Sequence, residues 1–302
     1  MKTPYPKMVS ISVGSVCGYR CIFCNNPHTG SEVQSVGNIT RILENFKDAE
    51  IVDISGFGDL LLHPEFEQIG KLMTENKVAF SFITTAENLT PDKQELLRNS
   101  SLRRINISLN SLNPKTKKML SGGEGDFYKV MRHFEDFVKK PRNYVISISM
   151  VVCRYTFKET PDFVRFGIKH GVDSVCLHQP LSGIQYPEGF NLTYNDEEWE
   201  YYNEAHRIAQ ENHLSLGGFS KKTITGEVEI PSIKSCRAPW NEVVIAPSGA
   251  VIPCFSSGYS VGNINTHTFS EIWDGEKITE LRNAILEGKN NVGNCNLCVK
   301  YK

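Results

Sequence analysis

The chain has 302 residues, enough for one large α/β domain with a smaller appendage. Its hydrophobic share of 40% and charged share of 22% are those of an ordinary soluble globular protein. Basic residues number 33 and acidic ones 34, a net charge of −1 that argues against a nucleic-acid or anionic-membrane surface.

No stretch of about 18 apolar residues predicts a transmembrane helix. The N-terminus Met1-Lys2-Thr3-Pro4-Tyr5-Pro6 lacks the apolar core of a signal peptide, so a cytoplasmic protein is expected. The first strand-like run, Met8-Val9-Ser10-Ile11-Ser12-Val13, leads into Cys17-Gly18-Tyr19-Arg20-Cys21-Ile22-Phe23-Cys24. Cysteines spaced C-x3-C-x2-C on one loop can hold three corners of a cubane iron–sulfur cluster and leave one iron without a protein ligand. A structural site is normally closed by four ligands, whereas a reactive centre keeps an open position. A zinc loop that borrows a fourth ligand, or three unrelated buried cysteines, are the alternatives for the same pattern.

Strand and helix signals then alternate to about residue 180, which predicts βα units on a parallel sheet. A helix is expected over 39–46, then the strand Glu50-Ile51-Val52-Asp53-Ile54-Ser55, then a helix opening near Pro64, where proline suits the first helical position. A strand over 78–84 precedes a helix opened by Thr90-Pro91-Asp92. The run Arg104-Ile105-Asn106-Ile107-Ser108-Leu109 comes next, followed by one long helix ending near Lys139. A strand over 144–152, a helix over 160–169 and the strand Ser174-Val175-Cys176-Leu177 complete six units. They predict a partial (β/α)6 TIM-like barrel over 1–180, with chemistry at the carboxyl ends of its strands. Residues 181–234 break the rhythm and read as a connecting segment with one amphipathic helix, 196–212. The rest, 235–302, reads as a small α+β domain. It holds a hairpin from Glu242-Val243-Val244-Ile245-Ala246 through Pro247-Ser248-Gly249 to Ala250-Val251-Ile252-Pro253-Cys254, and a helix over 270–286.

Gly56-Phe57-Gly58-Asp59 ends the second strand. Glycines there allow close approach of backbone to a ligand, and carbonyls with Asp59 can accept hydrogen bonds from an ammonium group; a plain strand-to-helix turn is the alternative. Nine cysteines in a reducing compartment point to metal rather than disulfides. Seven of them form two groups near the chain ends, the second being Cys236, Cys254, Cys295 and Cys298. Four thiolates make a closed site, for which spacing alone admits zinc or iron–sulfur.

The cysteine loop with Gly56–Asp59 resembles the radical S-adenosylmethionine (SAM) enzymes, in which the matching stretch holds the methionine amino group of SAM. Asp59 stands where glutamate is commoner. The run from Arg104 to Leu112 resembles the fourth strand of the GTP cyclase branch, which implies that Ser108 faces SAM, and the residue matching Phe23 lies near adenine. Cys236-Arg237-Ala238-Pro239-Trp240 through Cys254, with Val261-Gly262-Asn263-Ile264 and Glu271-Ile272-Trp273, resembles the SPASM/twitch extension. The chain runs four residues past Cys298, so the shorter twitch type with one auxiliary cluster is expected.

The resemblance implies a SAM-binding 4Fe–4S cluster on Cys17, Cys21 and Cys24, an auxiliary 4Fe–4S cluster on the other four cysteines, SAM itself, and an electron donor such as flavodoxin or ferredoxin. A fully ligated auxiliary cluster resembles that of an aminocyclitol dehydrogenase, which implies oxidation of a small polar substrate. The second expectation is modification of a peptide by epimerisation or crosslinking, with Cys153 or Cys176 donating a hydrogen atom in the former case. Only 16 residues precede Cys17, which speaks against an N-terminal peptide-recognition domain. A non-catalytic metal-binding scaffold is the third. Arg154 is a candidate for the SAM carboxylate, and His178 for taking a proton during alcohol oxidation. Both cysteines have an ordinary role as small buried hydrophobes.

Overall fold

Val9 and Ile11 alternate with Ser10 and Ser12, a period of two that gives a strand one apolar and one polar face. A computed structural model, describing residues 4–26, 33–46, 49–56, 58–180, 185–219, 231–254, 257–298 and 301, turns that run into β1 (Met8–Ser12). The same alternation builds β2 (Ile51–Ser55), β3 (Phe80–Thr84), β4 (Leu102–Ser108), β5 (Val145–Val151) and β6 (Ser174–His178). These six strands run parallel in chain order. Their apolar faces, among them Ile11, Ile54, Phe82, Ile105 and Ile148, are at most 1% exposed and form one core with the buried faces of the helices.

Helices α1 (Val36–Asn45), α2 (Phe66–Glu75), α3 (Pro91–Arg98), α4 (Pro114–Leu120), α5 (Phe127–Val138) and α6 (Thr160–Lys169) fill the crossovers. Pro91 takes the first turn of α3, as expected. Pro64 does not open α2: a short 3-10 turn over Leu60–Leu62 comes first and the helix starts at Phe66. The long helix expected after β4 is two helices. Ser121-Gly122-Gly123-Glu124-Gly125 separates them, with all three glycines at positive φ, where a right-handed helix cannot continue. The C-terminal helix divides into Phe269–Trp273 and Glu276–Glu287 at Gly275, whose backbone is extended (φ −77°, ψ 175°) and where a Cβ would lie 2.6 Å from the Glu271 carbonyl oxygen.

Two further strands widen the parallel sheet. Helix α7 (Asp196–Glu211) opens with a reciprocal capping box between Asn195 and Glu198, and leads to β7 (Ser215–Gly217), which pairs with β6. At the other edge β8 (Glu242–Ile245) lies parallel to β1. The chain then turns through Gly249 (φ 82°) into the antiparallel β9 (Ala250–Ile252), beside β10 (Gly262–Asn263). The order β10-β9-β8-β1-β2-β3-β4-β5-β6-β7 leaves β10 and β7 as edges, so the barrel is partial. The C-terminal hairpin thus extends the barrel's own sheet. Gln34 donates to the Ala246 carbonyl (3.4 Å), and the Trp273 indole N–H donates to the Pro4 carbonyl (2.9 Å). Among the described residues no helix is long and apolar enough to cross a membrane.

Candidate active site

The face opposite the apolar core is polar on strand after strand. Ser10 and Ser12, Asp53 and Ser55, Asn106 and Ser108, and Ser147 and Ser149 alternate with the buried aliphatics and so turn toward the barrel interior. Asn106 donates to the Ser149 hydroxyl (3.0 Å), while its buried amide oxygen has no partner among the described residues. A buried acceptor left open is a costly group that a hydrogen-bonding ligand would satisfy.

The Cys17–Cys24 loop leaves the carboxyl end of β1 and is held by its neighbours. Arg20 N–H donates to the Ser121 carbonyl (3.1 Å) and Ile22 N–H to the Leu120 carbonyl (3.0 Å), so the loop lies along the end of α4. Cys24 N–H closes a turn onto the Cys21 carbonyl (3.0 Å). Cys17 and Cys21 are half-buried and Cys24 is exposed. Burial pushes the Cys17 thiol up and the Cys21 thiol up to about 12, and the other two thiols add to the rise at Cys21. Crowded, desolvated thiols of this kind suit a cationic metal group, which reverses that balance and binds them as thiolates. Phe23 sits in a satellite cluster with Leu120, Cys153 and Phe190.

The glycines after β2 serve packing within the chain. A Cβ on Gly56 (φ 156°) would lie 2.5 Å from the Ser12 hydroxyl, and one on Gly58 would lie 2.7 Å from the Val16 carbonyl. β1 and the start of the cysteine loop thus approach these two glycines closely. Phe57 lies outside the described residues. The Asp59 N–H donates to the Val16 carbonyl (2.8 Å), and its carboxylate, 4% exposed, accepts from Leu61 N–H (3.0 Å), from the Thr84 hydroxyl (2.8 Å) and from both the N–H (3.0 Å) and hydroxyl (2.9 Å) of Thr85. Both oxygens are engaged by the chain's own donors, which ties the ends of β2 and β3 together.

The other single residues separate by depth. Ser108 ends β4, beside Ser149 in register. Cys176 lies on the barrel-facing side of β6, between Ser149 and Gly217; burial raises its thiol and the Arg104 charge lowers it. His178 ends the same strand, with burial lowering its pKa. Cys153 is fully buried, its sulfur 3.6 Å from the Thr156 hydroxyl, in the cluster that packs against Ile22 and Phe23 of the cysteine loop. Arg154 pairs with the buried Glu198 (3.2 Å) at the start of α7.

The second cysteine group is assembled from three segments. Cys236 precedes the short helix Ala238–Asn241, Cys254 follows β9, and Cys295 and Cys298 come from the last described turn. All four line one small pocket, together with the apolar Ile233, Leu281 and Ile285. Burial, then Cys254, Cys236 and Cys298, push Cys295 up to about 11. Arg282, buried, donates to the Pro239 carbonyl (3.0 Å) and packs over the Trp273 ring (4.5 Å), which fixes the C-terminal helices against this cavity. Among the described residues no three Cys, His, Asp or Glu donors converge on a single metal ion. A cubane does not require that, since each thiolate takes a different iron.

Sequence reading missed Lys117. It is 4% exposed, donates to the Ser108 carbonyl (3.0 Å) and lies 5.2 Å from the centre of the Tyr19 ring. Burial lowers its pKa to about 8, while Cys21, Glu87 and Cys17 pull it back up.

A partial α/β barrel with a three-thiol loop at its mouth and a four-thiol cavity beside its hairpin is the frame of a protein with two metal–sulfur centres. The radical SAM superfamily model matches residues 11–167 and the iron–sulfur cluster-binding SPASM domain model matches 236–299, so the chain belongs to the radical SAM enzymes and carries their SPASM extension. These domains imply a SAM-binding 4Fe–4S cluster, an auxiliary cluster and SAM. Among curated proteins, the chain is 22% identical to the tungsten-containing aldehyde ferredoxin oxidoreductase cofactor-modifying protein of Pyrococcus furiosus, over 91% of this chain and 83% of that one. It is 21% identical to the AdoMet-dependent heme synthase of Methanosarcina barkeri, over 99% and 90%. Its fold matches Streptococcus suis SuiB bound to S-adenosylmethionine with a TM-score of 0.77 at 17% identity, covering 98% of this chain and 76% of SuiB. SuiB has also been solved bound to its precursor peptide SuiA.

Proposed function

We propose that the chain is an oxidoreductase of this family that takes a hydrogen atom from a small polar substrate, of sugar or aminocyclitol type, and leaves it dehydrogenated. The observation that carries the reading is the four-cysteine cavity. Cys236, Cys254, Cys295 and Cys298 reach it from three segments, which is a closed donor set suited to passing an electron. Cys17, Cys21 and Cys24 would hold the other cluster, and Gly56, Gly58, Ser108 and Phe23 remain the residues proposed to bind SAM beside it. When bound, the first cluster and SAM supply a 5′-deoxyadenosyl radical, which removes the hydrogen atom. The twitch form, with one auxiliary cluster, is part of the same proposal.

Turning a secondary alcohol into a carbonyl removes a hydrogen atom, a proton and an electron. The serine-lined interior with the open Asn106 oxygen supplies hydrogen bonds to substrate hydroxyls. His178, at the carboxyl end of β6, is placed to receive the proton. The electron leaves toward the four-cysteine cavity.

Peptide modification is the second reading. It is favoured by Cys176, the barrel-facing thiol, and by the likeness to SuiB. Anaerobic reconstitution separates the two. About eight irons per chain, SAM cleavage and no solvent deuterium in the product support dehydrogenation; about four irons, or deuterium incorporation that Cys176→Ala abolishes, overturn it.

A further inference from the structure

The cysteine loop contributes little to its own position. Its backbone is bonded to Leu120 and Ser121 at the end of α4, and a Cβ on Gly122 would lie 2.2 Å from the Arg20 carbonyl oxygen, so the two segments are pressed together. Lys117, one turn back on α4, extends under this contact. Its ammonium meets the Ser108 carbonyl on one side and the Tyr19 ring on the other, between two of the loop's cysteines. The charged and titratable groups that act on it are Cys21, Glu87 and Cys17. Glu87 also receives the Asp126 N–H (3.0 Å) and a hydrogen bond from the Tyr19 hydroxyl.

A lysine is rarely fully buried without a carboxylate partner, because desolvating an ammonium is expensive. Among the described residues Lys117 makes no ion pair within salt-bridge distance. A carbonyl and an aromatic face satisfy it only partly. A buried cation of this kind is explained when an anionic group stands beside it, and a cluster held by three thiolates is one. Reduction of such a cluster adds negative charge, and a fixed cation in a low-dielectric setting favours the reduced state.

We propose that Lys117 is a tuning and positioning residue for the cluster on Cys17, Cys21 and Cys24: its buried charge raises the reduction potential of that cluster, and Glu87 partly offsets it. The proposal rests on those three cysteines being the ligands.

The test reads a potential, not turnover. Reconstituted full-length wild type, Lys117→Met, Lys117→Arg and Glu87→Gln are titrated with dithionite in the absence of substrate, and the reduced SAM-binding cluster is followed by EPR. Lys117→Met is expected to make reduction about tenfold harder, about 59 mV more negative for a one-electron couple, with Lys117→Arg close to wild type. Glu87→Gln, which leaves the lysine in place, is expected to shift the potential in the opposite direction. A purely structural role for Lys117 would not produce shifts of opposite sign. An unmoved potential in Lys117→Met at wild-type iron content overturns the proposal. Should that variant fail to take up iron, Glu87→Gln decides alone: a shift to more negative potential, or none, overturns it. Replacing Cys17, Cys21 and Cys24 together by alanine distinguishes failure of the ligand assignment. If the EPR signal survives in that triple variant, the assignment is wrong; if it vanishes while Lys117 and Glu87 variants leave the potential unmoved, only the tuning role is.

Discussion

The two thiol groups of this protein are built in opposite ways. Cys17, Cys21 and Cys24 sit within one loop, half-buried to exposed, and lean on α4 for their placement. Cys236, Cys254, Cys295 and Cys298 come from three segments and line a small pocket with apolar neighbours. A loop with three donors leaves room for an exchangeable ligand, whereas four donors from distant segments also staple the chain. Loss of the first should therefore end the chemistry and spare the fold, and loss of the second should do the reverse in part.

The largest effect is expected from Cys21→Ala. SAM cleavage by the reduced protein should fall to background, with about four irons retained on the auxiliary site, and the thermal midpoint of the apo-protein should stay near wild type. Cleavage within a few-fold of wild type would remove this loop from the reaction. Cys295→Ala comes next. Iron should fall by about four and the protein should unfold earlier, because metal binding across separate segments is linked to folding. Uncoupled SAM cleavage should remain within about threefold, a difference of less than 1 kcal/mol in barrier. Equal loss of both activities would erase the contrast.

Asp59 sharpens the comparison from the structural side. Removing its side chain in Asp59→Ala leaves buried donors on Thr84 and Thr85, and should destabilise the protein by about 1–3 kcal/mol in chemical denaturation. SAM affinity should change little if the carboxylate ties β2 to β3; a large loss of affinity with unchanged stability would restore the ligand role expected from the sequence.

The smallest effect concerns His63, whose Nε2 donates to the Gln34 carbonyl (2.9 Å) and whose Nδ1 accepts from Glu65 N–H (3.0 Å), with roles assigned from that network. Burial lowers its pKa below the ordinary 6.5. The unfolded chain therefore binds the proton more readily, so this contribution is complete above about pH 6.5 and is lost as pH falls from there through the lowered native value. Denaturation midpoints measured between pH 7.5 and 5 should show a slope that His63→Asn flattens.

The six barrel strands were legible because serines alternate with Val and Ile at a period of two, as in Ser10–Ser12 and Ser147–Ser149. Strand β7 was not, since Ser215–Gly217 is too short to carry a pattern and exists through its pairing with β6. The break between α4 and α5 was written in Gly122, Gly123 and Gly125, but helical signals on both sides outweighed it. The partners of the residues after β5 were not legible: Arg154 pairs with Glu198, and Cys153 joins the buried cluster that packs against Ile22 and Phe23 of the cysteine loop.

The sequence by itself determined the metal–sulfur chemistry, because cysteine spacing on a short loop restricts its ligand geometry whatever surrounds it. It also determined the alternating sheet, because side-chain period follows from backbone geometry. Only the tertiary structure decided how single polar side chains are used. Asp59 reads as a ligand and is engaged by Thr84 and Thr85. Lys117 stands in Lys115-Thr116-Lys117-Lys118 with nothing local to single it out, yet it is buried beside the cysteine loop. Burial and partner are properties of distant segments meeting, and no local pattern encodes them.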